Sequence, residues 1–163
     1  MSVVGVVLGA GESSRFGSPK QLLPFGDTTL LGQVVRNANA SSLDGVVVVL
    51  GRASGEVREA LCLLLGDQPG VLPGFVDRAL SEWKRERSWA AVCSYRGRLG
   101  HPFIFSREAF DDLKGLHGDK AVWKLIEAYP DRVRKIEIDA GLPPDVDTPE
   151  DYERVLIHQR EAS

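Results

Sequence analysis

A six-residue apolar run, Val3-Val4-Gly5-Val6-Val7-Leu8, passes directly into Gly9-Ala10-Gly11-Glu12-Ser13-Ser14-Arg15-Phe16-Gly17-Ser18-Pro19-Lys20. Short, continuous and β-branched, the run predicts a strand buried on both faces. The glycines behind it predict a loop whose backbone N–H groups can approach an anion closely.

From Thr29 the period becomes helical, with Leu30, Leu31, Val34, Val35 and Ala38 on one face. The pattern then predicts a second strand over 46–50, a short helix over 54–61 and a third strand over 62–65 ending at Gly66-Asp67-Gln68-Pro69-Gly70. Phe75, Val76, Ala79, Leu80 and Trp83 line a further helix. Strands over 90–95 and 102–105 follow, separated by the turn-like Arg96-Gly97-Arg98-Leu99-Gly100. Helices over 107–113 and 120–129 lead to an alternating strand over 133–138. Thr148-Pro149-Glu150-Asp151 announces the last helix by its cap, its proline and its acids. This alternation predicts a single α/β domain over 1–163, a sandwich of helices about a mostly parallel sheet. In such folds ligands sit at the carboxyl ends of the strands, which directs attention to 9–20, 66–69 and 145–147.

Composition narrows the function. A length of 163 residues suits one domain, and 43% apolar with 26% charged residues is the ordinary globular balance. No apolar run is long enough to cross a bilayer, and no basic segment precedes a signal-like core, so a cytoplasmic protein without membrane partners is expected. A net charge of −3 without a basic stripe argues against nucleic acid. Cys62 and Cys93 lie in apolar runs and read as free buried thiols. With three scattered histidines they make neither a zinc site nor a disulfide framework.

The glycine loop is neither a dinucleotide fingerprint, since position 14 is Ser14, nor a P-loop, since no Gly-Lys-Ser/Thr closes it. Arg15 and Lys20 add two cations beside the amides, which suits a triphosphate; a surface loop with incidental charges is the plainer reading. Asp67 directly follows a strand end, placed either to hold Mg²⁺ with waters and phosphate oxygens or to cap an Asx-turn. Asp145 and Asp147 stand two apart in extended backbone, so both can face one cation, or one can serve the helix terminus and the other solvent. His101, before Pro102, is either a pocket donor or a satisfied structural group. Trp83, Trp89 and Trp123 read as packing residues. No nucleophile–base–orienter spacing is present.

Together these blocks resemble the molybdenum cofactor cytidylyltransferases of the nucleotidyltransferase superfamily. The segment Leu8–Pro24 resembles that family's first motif, Gly66-Asp67-Gln68-Pro69 its metal motif, Gly100-His101-Pro102 a third block and Asp145-Val146-Asp147-Thr148-Pro149-Glu150-Asp151-Tyr152 its ending. Gly9 stands for the usual Ala, Phe16 for the usual Met, and Gly118-Asp119-Lys120 begins a block whose arginine has no counterpart here. The resemblance implies a Rossmann-like three-layer sandwich of the nucleotide-diphospho-sugar transferase type. It implies transfer of CMP from CTP to the phosphate of molybdenum-bearing molybdopterin, with release of pyrophosphate and Mg²⁺ as cofactor. Leu8, Gly9, Ala10, Gly11, Glu12, Ser13 and Ser14 would cradle the nucleotide, with Lys20. Arg15, Lys20 and Asp67 would serve catalysis, Asp67 and Asp147 the metal, and Gln68, Pro69 and His101 the substrate pocket. A molybdenum hydroxylase or its maturation factor is the implied recipient. A sugar- or polyol-phosphate cytidylyltransferase and a non-catalytic cofactor carrier of the same fold are the alternatives.

One junction is physically odd. The expected helix ending at Leu61 meets the expected strand starting at Cys62 with no turn residue, whereas such connections take about 2–6 residues. Members of the resembling family carry a further strand and a Gly-Ser-rich stretch at this point. A missing segment at 61/62 is therefore expected, with Leu61 far from Cys62 and an interior strand absent from the sheet.

Overall fold

A computed structural model describes residues 2–9, 20–49, 60–116 and 120–161. The chain runs through β1 (Val3–Leu8), a one-turn 3₁₀ helix (Lys20–Leu22), β2 (Pro24–Phe25), β3 (Thr28–Thr29), α1 (Leu30–Asn39), β4 (Gly45–Val49) and β5 (Ala60–Leu65). It continues through α2 (Pro73–Glu86), β6 (Ala90–Tyr95), β7 (Arg98–Ser106), a 3₁₀ turn (Arg107–Ala109) and α3 (Phe110–Lys114). The last elements are α4 (Ala121–Ala128), a 3₁₀ turn (Pro130–Arg132), β8 (Val133–Ile138) and α5 (Pro149–Glu161).

Six strands form one sheet in the order β4-β1-β5-β7-β6-β8. β4, β1 and β5 run parallel, as do β6 and β8, while β7 is antiparallel to both its neighbours. Alternation along the strands divides the core. Val3, Val7, Cys62, Leu64, Cys93 and Ile136 pack with Val34 and Ala38 of α1 and Val76, Leu80 and Trp83 of α2. Leu63, Ala90, Val92, Phe103 and Phe105 face the other way, against Leu125 and Ile126 of α4. The expected Rossmann-like sandwich with a mostly parallel sheet is observed. Both cysteines are free and buried, and burial raises their thiols, Cys93 to about 12.

Three expectations need correction. Ala60 and Leu61 belong to β5 rather than to a helix, paired with Val3 and Val4 on one side and Ser106 and Phe105 on the other; residues 54–59 lie outside the described residues. Leu61 and Cys62 are successive residues of that strand, so their expected separation is not observed. β4 and β5 flank β1, and each strand from β4 to β8 pairs with its neighbour, so the expected gap of an interior strand is not observed among the described residues.

The turn between β6 and β7 is also shorter than expected. Arg96 (φ 50°) and Gly97 (φ 85°) alone make it, the positive-φ pair of a two-residue hairpin loop. Gly100 therefore lies within β7, where a Cβ would come within 3.2–3.3 Å of the Tyr95 ring. Opposite the adjacent pair Val92 and Cys93, β7 offers Phe103 and then Gly100, so His101 and Pro102 bulge from the ladder. A proline, having no N–H to donate, is suited to such a bulge.

Candidate active site

The carboxyl ends of β1 and β5 lie side by side, and the loops behind them are built to stay close. Gly66 N–H donates to the Leu8 carbonyl at 2.8 Å. A Cβ on Gly66 would meet that same oxygen at 2.9 Å and the Gly9 Cα at 3.3 Å, both backbone atoms, so only glycine lets the strands end in contact. The chain then turns: Gln68 N–H returns to the Leu65 carbonyl and Val71 N–H to the Gln68 carbonyl. Asn37, buried on α1, donates its amide to the carbonyls of Pro69 (3.0 Å) and Val71 (2.9 Å), and its own oxygen accepts from Gln33. Asn37 was not legible as a site residue, although a polar residue on the buried stripe of Leu30, Val34 and Ala38 is its signal.

The segment before α5 is docked onto this turn. Val146 is fully buried against Phe25, Leu30 and Val155, and its N–H donates to the Asp67 carbonyl at 3.0 Å. Thr148 Oγ1 accepts from Asp151 N–H, and the Asp151 carboxylate accepts from the N–H groups of Thr148 and Asp147, a reciprocal cap of the kind expected from Thr148-Pro149-Glu150-Asp151. Hydrogen bonds from Thr148 come first among the causes that hold the Asp151 carboxyl below its ordinary value.

Between these segments sits one ammonium. Lys20 Nζ lies 2.9 Å from Asp67 Oδ2 and 2.7 Å from Asp147 Oδ1. The Lys20 side chain is 9% exposed, that of Asp67 23% and that of Asp147 54%. Burial pulls the Lys20 ammonium toward neutrality, but hydrogen bonds to Asp147 and Asp67 outweigh it and leave its pKa raised. Asp145 accepts from the Gln68 side-chain amide. Loss of solvent and the nearby charges of Asp67 and Asp147 raise its carboxyl against the opposing pull of Gln68 and Lys20. Asp67 Oδ1 and Gln68 Oε1 are buried without a hydrogen-bond partner among the described residues.

Asp67, Asp147 and Lys20, distant in sequence, are thus brought together, and Gln68 joins them through Asp145. Pro69 lines a cavity of about 720 Å³ with Phe75, Leu142 and Pro144, and His101 is not among its walls. His101 is 4% exposed, its ring 4.2 Å from that of Phe103 and edge-on to Trp123. Burial lowers its pKa to about 4, so it is neutral, and its Nδ1 is also without a partner among the described residues. Leu8 is exposed at the strand end beside Gly9. Ala10, Gly11, Glu12, Ser13, Ser14 and Arg15 lie outside the described residues, as do Gly118 and Asp119.

The donor set fits a divalent cation of the Mg²⁺ kind. Among the described residues no three His, Cys, Asp or Glu side chains form a closed metal cage. Two hard carboxylates, one with an unpartnered oxygen, match an ion that takes its remaining ligands from water and phosphate. Among the described residues no helix is long and apolar enough to cross a membrane.

The sequence matches the MobA-like NTP transferase domain in two stretches, residues 5–61 and 54–133. It is 27% identical to the purine catabolism protein PucB of Bacillus subtilis over 198 aligned residues, covering 94% of this chain and 95% of that one. The crystal structure of the Rv0371c homologue from Mycobacterium sp. strain JC1 superposes with a TM-score of 0.88 at 38% identity, covering 99% of this chain and 98% of that one. The Mycobacterium tuberculosis H37Rv protein Rv0371c, in complex with manganese, gives a TM-score of 0.80 at 36% identity over 96% of this chain and 99% of its own.

Proposed function

The chain belongs to the MobA-like NTP transferase family, and on that premise we propose that it transfers CMP from CTP to the phosphate of a molybdopterin carrying molybdenum. The nucleotidyltransferase fold and family are established by the comparisons; donor, acceptor and metal are our reading. The observation that carries it is the meeting of Lys20 with Asp67 and Asp147 at the carboxyl ends of β1 and β5.

In the proposed reaction an oxygen of the acceptor phosphate bonds to the α-phosphorus of CTP. The bond from that phosphorus to the bridging oxygen breaks, and pyrophosphate leaves with the electron pair. The acceptor is already an anion, so no strong base is needed and positioning with charge neutralisation suffices. Leu8 to Ser14 hold the nucleotide through backbone amides, and Arg15 and Lys20 balance charge on the α-phosphate and the leaving pyrophosphate. Asp67 and Asp147 hold the divalent ion, which when bound neutralises phosphate oxygens. Gln68, oriented against Asp145, and neutral His101 serve recognition. Gln68 in the Gly-Asp-Gln-Pro turn supports cytidine as the base by resemblance alone, and the manganese complex of the mycobacterial protein supports a divalent ion.

The test is pyrophosphate release with CTP, ATP, GTP and UTP, each against molybdopterin and a panel of sugar and polyol phosphates, with and without Mg²⁺. Release with CTP and molybdopterin alone supports the proposal. Turnover confined to a sugar or polyol phosphate replaces the acceptor, and tight binding without any turnover sinks the catalytic reading.

A further inference from the structure

The two carboxylates proposed to receive the divalent ion, Asp67 and Asp147, are both engaged with a cation of the protein's own. Lys20 Nζ contacts the Asp67 and Asp147 carboxylates within 3 Å, and its side chain is almost wholly covered. The backbones of Asp67 and Asp147 are also held without Lys20: Val146 N–H ties the Asp147 segment to the Asp67 carbonyl, Asn37 holds the turn beyond Asp67, and the Asp151 carboxylate accepts from Asp147 N–H. The oxygens are thus held ready, and what lies between them is a monovalent ammonium.

We infer that Lys20 is a built-in place-holder for the divalent ion, keeping the Asp67 and Asp147 carboxylates gathered about one cation and leaving them when the metal enters. This rests on the proposed metal role of both carboxylates and goes beyond it by making Lys20 the metal's competitor. An ammonium takes oxygens at 2.7–2.9 Å here, whereas Mg²⁺ draws them to about 2.0–2.1 Å. An ion seated on those oxygens would face the ammonium at close range, and the two positive charges repel. Lys20 opens a short 3₁₀ turn, and on the proposed reading its released side chain would go to phosphate. Metal entry and the hand-over of Lys20 to phosphate then form one exchange. Without phosphate to receive it, Lys20 opposes the metal.

The experiment is Mn²⁺ binding without nucleotide, followed by electron paramagnetic resonance of the free ion, on the whole chain. Lys20→Met is expected to bind Mn²⁺ at least about tenfold tighter than the unmodified protein, since competition is gone. Its metal-free melting temperature is expected to be lower, and its rise on adding Mn²⁺ larger. Equal or weaker Mn²⁺ binding by a folded Lys20→Met overturns the inference. Asp67→Asn separates the two readings: if it leaves Mn²⁺ binding unchanged, the metal assignment itself has failed. Should Lys20→Met not fold, the unmodified protein decides, because Mn²⁺ is expected to speed acetylation of Lys20 by an amine reagent, read by peptide mass spectrometry. An unchanged labelling rate at saturating Mn²⁺ also overturns the proposal.

Discussion

The backbone N–H of Val146 donates to the carbonyl of Asp67 at 3.0 Å, joining the turn after β5 to the segment that enters α5. Because Asp145 and Asp147 flank Val146, this bond sets the spacing of the acidic groups on either side of Lys20. The side chain of Val146, fully buried, fixes the same segment from below. Site geometry here is thus a consequence of core packing, since the residue that locks the loop contributes no chemistry.

Asp67→Asn is expected to lower kcat/KM by about two orders of magnitude at limiting Mg²⁺, the scale of losing one preorganised charge-stabilising group. Asparagine keeps one neutral oxygen, so high Mg²⁺ should recover part of the rate. Asp147→Asn should act in the same direction but less, because Asp147 is the more exposed of the two. Steady-state pyrophosphate release across a Mg²⁺ series reads both. Wild-type rates with an unshifted Mg²⁺ dependence would remove these carboxylates from the metal.

Asn37→Leu should cost about 1–3 kcal/mol in denaturant unfolding, because the buried carbonyls of Pro69 and Val71 lose their donor. It should also raise KM for the metal–nucleotide, since the turn carrying Asp67 and Gln68 is no longer held. Gln33→Ala, which only frees the Asn37 oxygen, should show the same pattern more mildly. A stability loss with unchanged kinetics would mean that Asn37 supports the fold and not the site.

What could be read from the sequence divides along a physical line. β1, β6 and β8 have the bounds that their apolar patterns predict, because each signal is local. The α1 and α5 starts were legible for the same reason, α1 through the helical period that begins from Thr29 and α5 through Thr148 as a capping residue. Ala60-Leu61 was misread because a continuous apolar run buried on both faces has no period to separate strand from helix. Gly100 read as turn, although its missing side chain makes room for Tyr95 within a strand. Asp67 and Asp147 could be nominated from their positions at element ends. Their shared capture of Lys20 could not, since Lys20 and Asp147 are 127 positions apart and meet only in the finished fold.

The neutral state of His101 gives an acid signature. Its folded pKa of about 4 lies below the ordinary 6.5, so between these values the unfolded chain binds a proton that the folded one does not. Stability therefore falls as pH falls from about 6.5 towards 4, by about 3 kcal/mol from this residue, and levels off below. His101→Leu should flatten the wild-type stability curve in that window when urea midpoints are compared from pH 7 to 4. Parallel curves for the two proteins would show that His101 titrates normally.

The expressed polypeptide is expected to be heavier than the 17.8 kDa of this sequence. Leu61 and Cys62 are successive residues of β5, and it is the similarity to longer relatives that points to an additional segment. The family match comes in two stretches that both claim residues 54–61, as happens when one short segment aligns with two separated parts of a longer domain. The alignment with PucB runs over 198 residues, longer than this whole chain of 163, so it opens gaps here while covering nearly all of both proteins. A family segment lying between the two matched stretches accounts for both facts. Intact-mass measurement of the protein expressed from its natural gene should then exceed 17.8 kDa by several kilodaltons, with the additional peptide mapping between β4 and β5. A mass of 17.8 kDa would mean that the segment is truly lost. In that event the acceptor side of the site is incomplete, and binding of CTP without transfer becomes the expected behaviour.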